Sequence, residues 1–149
     1  MGTRLRELHT DEYLAVCAWA IAEEWPALVK GNLLTYEDFP KILNQPGHLS
    51  FAMSEDESPV IGFGQIWSSP NGKTNLVRIL VNPAFRGKGL GKRLCSLLLK
   101  EALCLPNVKE VRLRVHRDNI PAVAVYRSLG FRELEAESHA TVLAMAYEA

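Results

Sequence analysis

Apolar positions recur with helical spacing in the N-terminal third of the chain. Residues 3–9 alternate between apolar and polar side chains and predict a short strand. Thr10 stands where a helix N-cap is expected, and Thr35 with Asp38 three residues later is typical of a capping box for a second helix. The first helix has an apolar face consisting of Tyr13, Val16, Cys17 and Ala20. Two helices are therefore predicted ahead of the sheet, the second one kept short by Pro40.

From residue 48 onward, apolar positions alternate with polar ones, which is typical of strands. The turn signal Pro70-Asn71-Gly72-Lys73 predicts that the early strands pair as antiparallel hairpins. The predicted strands cover residues 48–54, 60–68, 76–81, 111–115, 131–137 and 141–147. Amphipathic segments at 90–102 and 120–129 predict helices, and the first lies in a strand–helix–strand unit expected to form a right-handed parallel crossover. We predict an α+β fold with a mixed, mainly antiparallel sheet flanked by helices.

The composition is that of an ordinary globular domain. Apolar residues make up 48% and charged residues 23% of the 149 residues, so we expect one domain spanning residues 1–149. Lys plus Arg and Asp plus Glu both number 17, and zero net charge argues against nucleic acid and anionic membranes as partners. Three cysteines without a C-x-x-C pair favour core residues over disulfides or a metal site. Without a secretory signal or a long apolar run, a cytoplasmic protein is expected.

A glycine-rich segment, Arg86-Gly87-Lys88-Gly89-Leu90-Gly91, opens the helix predicted at 90–102. It is one residue too short for a nucleotide P-loop, and its glycine spacing fails the G-x-G-x-x-G dinucleotide fingerprint. Unpaired N–H groups at a helix start, together with close access at glycine, suit a pyrophosphate. The basic side chains around the turn are Arg86, Lys88, Lys92 and Arg93. A basic surface turn ahead of a helix is the alternative interpretation.

Two motifs together resemble the GNAT superfamily of acetyl-CoA-dependent N-acetyltransferases. Residues 81–91 match the pattern V-x-P-x-x-[RQ]-x-x-G-x-[GA] in full, from Val81 to Gly91. Residues 119–131 match N-x-x-A-x-x-x-Y-x-x-x-G-F at every defined position. A plain amphipathic helix capped by Asn119 would explain the second motif, but not its position after the glycine-rich turn. The resemblance implies an acetyl-CoA-dependent N-acetyltransferase domain.

The resemblance also implies which residues bind acetyl-CoA. Backbone groups of one strand would pair with the pantetheine arm, and the glycine-rich turn would hold the pyrophosphate. The implied residues are Ile79, Leu80 and Val81 for the arm, Arg86, Gly87, Lys88, Gly89, Leu90, Gly91 and Lys92 for the pyrophosphate, and Asn119 near the pantetheine. A free strand edge requires the strands at 76–81 and 111–115 to splay apart at their C-terminal ends.

In such enzymes the amine attacks the thioester directly, so no nucleophilic side chain or metal is expected. A backbone N–H near Leu80 would stabilise the developing oxyanion, and Tyr126 would donate a hydrogen bond or proton to the departing thiolate. Because a tyrosine hydroxyl is a weaker acid than a thiol, partial donation is favoured over full transfer. Tyr126 as an aromatic core residue is the alternative.

The general base is the weak point of the resemblance. Relatives often have a glutamate at positions where this chain has Arg114 and Asn75. The remaining candidates are His116, Glu23, Glu24 and a water chain without a dedicated base. A strand-end surface histidine and a solvated helix end are the alternatives for these side chains.

The acceptor amine is not identified by the sequence, and a small molecule or a protein amino group would both fit. Arg112 and Arg114 should share one sheet face, where they need carboxylate partners or an anionic substrate. A catalytically silent acyl-CoA-binding regulatory domain is the alternative function, favoured by the missing glutamates. A homodimer through a sheet edge is compatible with the pattern.

Overall fold

The computed structural model describes residues 2–25, 32–56 and 58–149. The strands are β1 (Thr3–Arg6), β2 (His48–Glu55), β3 (Gly62–Ser68), β4 (Thr74–Val81), β5 (Glu110–His116), β6 (Arg132–Glu133) and β7 (Val142–Glu148). The helices are α1 (Tyr13–Ala22), α2 (Phe39–Leu43), α3 (Leu90–Leu103) and α4 (Ile120–Ser128), with 3-10 turns at Thr10–Glu12, Pro83–Phe85 and Glu135–Glu137.

The strands form one seven-stranded sheet in the order β1-β2-β3-β4-β5-β7-β6. Only the β4–β5 pair is parallel, and the other neighbours are antiparallel. The predicted α+β class and the mixed, mainly antiparallel sheet are therefore confirmed. Within the described residues no helix has the length and hydropathy needed to cross a bilayer.

The predicted splay of the central parallel pair is present. β4 and β5 pair only at Thr74 with Val111 and at Asn75 with Arg112, so their C-terminal halves separate. On the other side of β4 the register with β3 shifts: Phe63 pairs with Leu80 and Gln65 with Val77, which leaves one β3 residue facing two on β4. Such a bulge bends a strand and increases its twist. The bulge thus accompanies the divergence of β4 from β5.

Each face of the sheet has its own core. α3 and α4 pack on one face, where Leu94 and Leu98 are fully buried. α1 and α2 pack on the other face, where Val16, Phe39 and Phe63 are buried. The helical spacing seen in the sequence predicted these buried faces, because the apolar stripe of each helix points towards the sheet.

Three details of the predicted elements are wrong. Thr10 does not cap α1, because the Glu12 carboxylate accepts the His9 N–H at 3.0 Å and a 3-10 turn precedes the helix. The capping box predicted from Thr35 and Asp38 is not formed. Asp38 is itself the N-cap of α2, and its side chain makes no capping hydrogen bond. The strand predicted at 131–137 is only the two-residue β6, followed by a 3-10 turn.

A serine explains why β6 ends early. The Ser138 hydroxyl accepts the N–H of Ala144 at 2.9 Å and donates to the carbonyl of Leu134 at 2.9 Å. This side chain takes the place of ladder hydrogen bonds, as Ser commonly does in turns. Hydroxyl hydrogen bonding to a residue six positions away has no signal in the local pattern.

Candidate active site

The separation of β4 and β5 opens a cleft that runs from the sheet to the N-terminus of α3. Its volume is about 990 Å³, which is large enough for an extended small molecule. All but one of the residues predicted to bind the cofactor line it: Ile79, Leu80, Val81, Arg86, Gly87, Gly89, Leu90, Gly91, Lys92 and Asn119. Lys88 is the exception, since its Nζ lies over the Phe85 ring, 5.4 Å from the centroid.

The glycine-rich turn presents unpaired backbone donors at the head of this cleft. Gly87 and Gly89 adopt left-handed conformations with φ of 80° and 76°, which favour glycine. A Cβ at either position would meet no atom within 4 Å, so the space beside the turn is open. None of the backbone N–H groups from Gly87 to Lys92 has a hydrogen-bond partner among the described residues. The turn therefore offers consecutive donors and a helix dipole to an anion.

The charges around the turn are arranged differently from the sequence-based expectation. Arg93 points away from the cleft, because its Nε donates to the Thr3 hydroxyl of β1 at 3.0 Å. Arg86 forms an ion pair with Glu23 at the end of α1. The turn therefore depends on its backbone N–H groups and on Lys92 for positive charge, with Arg86 shared between Glu23 and the cleft.

The edge of β4 that faces the cleft has no ladder partner beyond Asn75 among the described residues. Its opposite edge remains paired with β3 at Leu80 and Val81. Backbone N–H and C=O groups on a free edge can pair with an extended amide chain as an added strand would. Asn119 lies across the cleft, where its Oδ1 accepts the Ala122 N–H at 3.3 Å and caps α4. Its amide nitrogen keeps its donors for a ligand.

A second cavity of about 420 Å³ continues inward between the two strands. It shares Trp25, Ile79, His116, Asn119 and Ala122 with the cleft, so the two spaces are continuous. Its other lining residues are Trp67, Asn75, Leu76, Val77, Arg78, Leu113, Arg114, Val115 and Tyr126. The cavity is where the reactive end of an extended ligand in the cleft would meet a second molecule.

Tyr126 lies in this inner cavity and is only 9% exposed. Its ring packs edge-on against Phe131, with centroids 5.9 Å apart. Burial raises the pKa of Tyr126, and the neighbouring Cys95 thiol raises it further. Burial likewise raises the pKa of Cys95 to about 11. Both groups are therefore protonated at neutral pH, and Tyr126 is a neutral hydrogen-bond donor.

The model of the acetyltransferase (GNAT) family matches residues 3–131 of this chain. The chain belongs to the GNAT acetyltransferase family. The match covers both motifs and most of the sheet, so it agrees with the resemblance found in the sequence.

The individual relatives are only distantly similar to this chain in sequence. A spermine/spermidine N(1)-acetyltransferase of Bacillus subtilis is 29% identical over 83 residues, which cover 51% of this chain and 55% of that protein. An N-alpha-acetyltransferase of Sulfolobus acidocaldarius is 27% identical over 140 residues, covering 87% and 77%. The chain spans only 18% to 55% of the length of most of the curated relatives it matches.

A solved structure shares the fold at low identity. The spermidine N-acetyltransferase of Vibrio cholerae, solved in complex with CoA and spermine, has a TM-score of 0.80 and 17% identity. The alignment covers 98% of this chain and 95% of that one. The described sheet and helices therefore have the GNAT fold.

The candidate bases lie at the rim of the cleft and not deep in the inner cavity. His116 ends β5 and lines both spaces, while Glu24 lines the cleft with a left-handed φ of 57°. Glu23 is engaged by Arg86. Asn75 lines the inner cavity, but its amide donates to the Trp67 carbonyl at 3.3 Å. No carboxylate is found among the described residues that line the inner cavity.

Arg78 is the functional candidate that sequence reasoning missed. It lies at the bulge of β4 with a φ of 53°, a conformation unusual for a residue with a side chain. Its Nη1 donates to Gln45 Oε1 at 2.9 Å and to Gln65 Oε1 at 2.8 Å. The signal was a single arginine inside the apolar run Leu76–Val81. The sequence pattern predicted the strand at 76–81 and singled out no role for this arginine.

Proposed function

We propose that this protein is an N-acetyltransferase that moves the acetyl group of acetyl-CoA to a primary amine by direct attack. One observation carries the proposal. A turn with unpaired N–H groups from Gly87 to Lys92 lies at the head of a cleft that the splayed strands β4 and β5 create. A diphosphate fits such donors, and the free β4 edge fits the two amides of a pantetheine arm.

The residues of this chain would divide the work as follows. The turn and Lys92 hold the diphosphate, with Arg86 contributing charge once it is released from Glu23. The edge of β4 at Ile79–Val81 orients the arm, so that the thioester lies in the inner cavity near Tyr126. Orientation of this kind removes much of the entropic barrier to a bimolecular step.

The chemistry needs two proton movements. As the amine nitrogen forms the C–N bond, the C–S bond breaks and the sulfur takes up negative charge. A backbone N–H near Leu80 stabilises the carbonyl oxygen. Tyr126 donates a hydrogen bond to the sulfur, and its raised pKa favours partial donation over full transfer. The amine proton leaves through His116, Glu24 or water at the rim. No metal ion is required by this scheme.

A catalytically silent acyl-CoA-binding domain is the alternative function. The inner cavity supports it, because no carboxylate base lines it among the described residues and the Tyr126 hydroxyl lies next to the Cys95 thiol. In that case the turn would bind acyl-CoA, and no amine would be acetylated.

Release of free CoA thiol from acetyl-CoA, followed across a panel of primary amines, tests the proposal. Amine-dependent thiol release, with a product heavier by one acetyl group in mass spectrometry, would establish the activity. Gly89→Glu is the matched negative control, because its carboxylate would occupy the phosphate position. Tight CoA binding without turnover of any amine would favour the silent domain, and absence of CoA binding would contradict both functions.

The broader predictions remain part of this proposal. We expect residues 1–149 to act as one N-acetyltransferase domain in the cytoplasm, on an amine of a small molecule or protein. Nucleic acid and membranes are not expected as partners, and a homodimer through a sheet edge stays a prediction. Size-exclusion chromatography with light scattering would settle the oligomeric state.

A further inference from the structure

We propose that the acceptor is a small amine that also carries a carboxylate, and that Arg78 with Arg114 binds this carboxylate in the inner cavity. The proposal rests on the acetyltransferase function proposed above and names the class of its second substrate. Three features of the inner cavity support it: its charges, the unused hydrogen-bond donors of Arg78, and its volume.

Arg78 is a half-buried cation without a counter-ion among the described residues. No carboxylate of the described chain lies within salt-bridge distance of it, and its two hydrogen-bond acceptors are neutral amides. Removing a guanidinium from water is unfavourable unless an opposite charge compensates it. The Gln45 and Gln65 side chains hold the group in place, and the Gln65 side chain is itself fixed by donating to the Ile42 carbonyl at 3.2 Å.

The unused donors of Arg78 match a carboxylate. Both bonds are made by Nη1, so Nε and Nη2 have no hydrogen-bond partner within the described ranges. These two nitrogens form the edge of the guanidinium that binds both oxygens of a carboxylate at once. The side chain lines the inner cavity, so a ligand there has access to it. A left-handed φ at a non-glycine residue is strained, and such strain concentrates at functional positions.

Arg114 adds a second positive charge to the same cavity. Arg114 lies two residues before His116 on β5, so both side chains point to the same face of the sheet. It has no ion-pair or hydrogen-bond partner in the part of the chain that the structure describes. Arg112, on the same sheet face, differs because Glu110 and Glu137 both bind it. The sequence left open whether the two arginines have carboxylate partners or an anionic ligand. Arg112 has the former, which leaves Arg114 for the latter.

The charge of the cavity disfavours a polyamine. Its described lining contains the cations Arg78 and Arg114 together with His116, but no carboxylate. Charges of like sign held close together in a partly buried cavity repel each other more strongly than they would in water. For a ligand with a carboxylate, the electrostatic interaction with these arginines is attractive. The volume of about 420 Å³, shared with the end of the pantetheine arm, suits a molecule of amino acid size.

The experiment compares amines that differ only in the carboxylate. The thiol-release assay is run with the standard amino acids, with their carboxamides, and with decarboxylated partners such as 1,5-diaminopentane for lysine; spermidine is included. We expect kcat/KM for at least one amino acid to exceed that of its carboxamide by about tenfold or more, since a charge-assisted bidentate contact is lost. Arg78→Gln should abolish this preference by raising KM, with a smaller change in kcat and none in CoA affinity.

Two further variants separate binding from folding. Arg114→Gln removes a side chain that has no ion-pair or hydrogen-bond partner within the described ranges, so it should fold normally and still reduce the carboxylate preference. Arg78→Lys keeps the charge but loses the bidentate edge, so an intermediate preference is expected. Arg127→Gln is the matched control: it is an exposed arginine of α4 that does not line either cavity, and the preference should be unchanged.

The outcomes distinguish this inference from the proposed function. Equal or faster turnover of carboxamides or of spermidine would overturn the inference while leaving the acetyltransferase intact. If no amine is turned over, the proposed acetyltransferase function is wrong. Calorimetry of amino acid and carboxamide binding to the CoA-bound protein then tests the inference independently. Tighter binding of an amino acid than of its carboxamide, lost in Arg78→Gln, would support it; equal or absent binding would overturn it.

Discussion

Replacing Gly89 with alanine separates two properties of the glycine-rich turn, its backbone conformation and its fit to a diphosphate. The φ of Gly89 is 76°, where an L-residue with a Cβ costs about 1–2 kcal/mol. A Cβ there would meet no atom within 4 Å, so no clash with the protein is expected. The methyl group would instead enter the space beside the unpaired N–H groups, which is where we place the diphosphate.

Gly72 provides a matched control. It has a φ of 82° and likewise no atom within 4 Å of an added Cβ, but it lies in the turn before β4, away from the cleft. Gly72→Ala and Gly89→Ala should therefore lose the same stability. For a domain of this size, 1–2 kcal/mol corresponds to a fall in Tm of roughly 2–8 °C. Only Gly89→Ala should lose affinity for CoA.

The size of that loss follows from the hydrogen bonds displaced. One hydrogen bond to a charged group contributes about 1.5–3 kcal/mol. Losing one of them corresponds to a rise in Kd for CoA of roughly 10- to 150-fold. Calorimetry well below both melting temperatures measures this Kd without interference from unfolding. A Kd for Gly89→Ala within about twofold of the unmodified protein, beside an equal loss of Tm in both variants, would refute the assignment of this turn to phosphate binding.

Three other expectations can be checked independently. Tyr126→Phe should lower kcat and leave the Kd for CoA unchanged in stopped-flow and equilibrium measurements; an unchanged kcat would remove the hydroxyl from the chemistry. The Arg6 guanidinium holds the pKa of Glu12 below its usual value, so the stabilisation by this ion pair is present above the unfolded pKa and is lost as pH falls through the folded one. Glu12→Gln should reduce the free energy of unfolding by about 1–3 kcal/mol at pH 7, with the difference shrinking as pH falls below the unfolded pKa of about 4.3 and vanishing once pH is below the folded one; a constant difference would contradict the pairing. In the native protein only Cys104 is exposed and should react with a thiol reagent, the other two cysteines reacting after unfolding; fast labelling of all three would contradict their burial.

The conformations that depend on local chemistry were readable from the sequence. The helical spacing of Leu94, Leu98 and Ala102 predicted the buried face of α3, and all three are fully buried. The glycine-rich turn was readable because positive φ, helix starts and unpaired donors depend on neighbours in sequence. The parallel pair followed from the strand–helix–strand pattern. Its splay came from the resemblance, since no local signal shows where two strands stop pairing.

The acceptor side of the site depends on contacts between distant segments. Gln45, Gln65 and Arg78 meet only because β3, β4 and the end of α2 pack together, and the bulge that holds Arg78 is a property of strand register. Side-chain contacts of this kind have no periodic signature, which is why the sequence did not identify Arg78 as a site residue. Arg93 was misassigned to the turn for the same reason, because its partner Thr3 belongs to the first strand.

The sequence by itself therefore determined the elements, the α+β class and the diphosphate-type turn, because each follows from hydrogen bonding and hydrophobic spacing within a few residues. Only the tertiary structure decided which charges remain unpaired in the inner cavity. Arg112 is neutralised by Glu110 and Glu137, whereas Arg78 and Arg114 have no carboxylate partner in the described part of the chain. Electrostatic complementarity depends on distances of a few ångströms between residues far apart in the chain, and the packing of the sheet sets those distances.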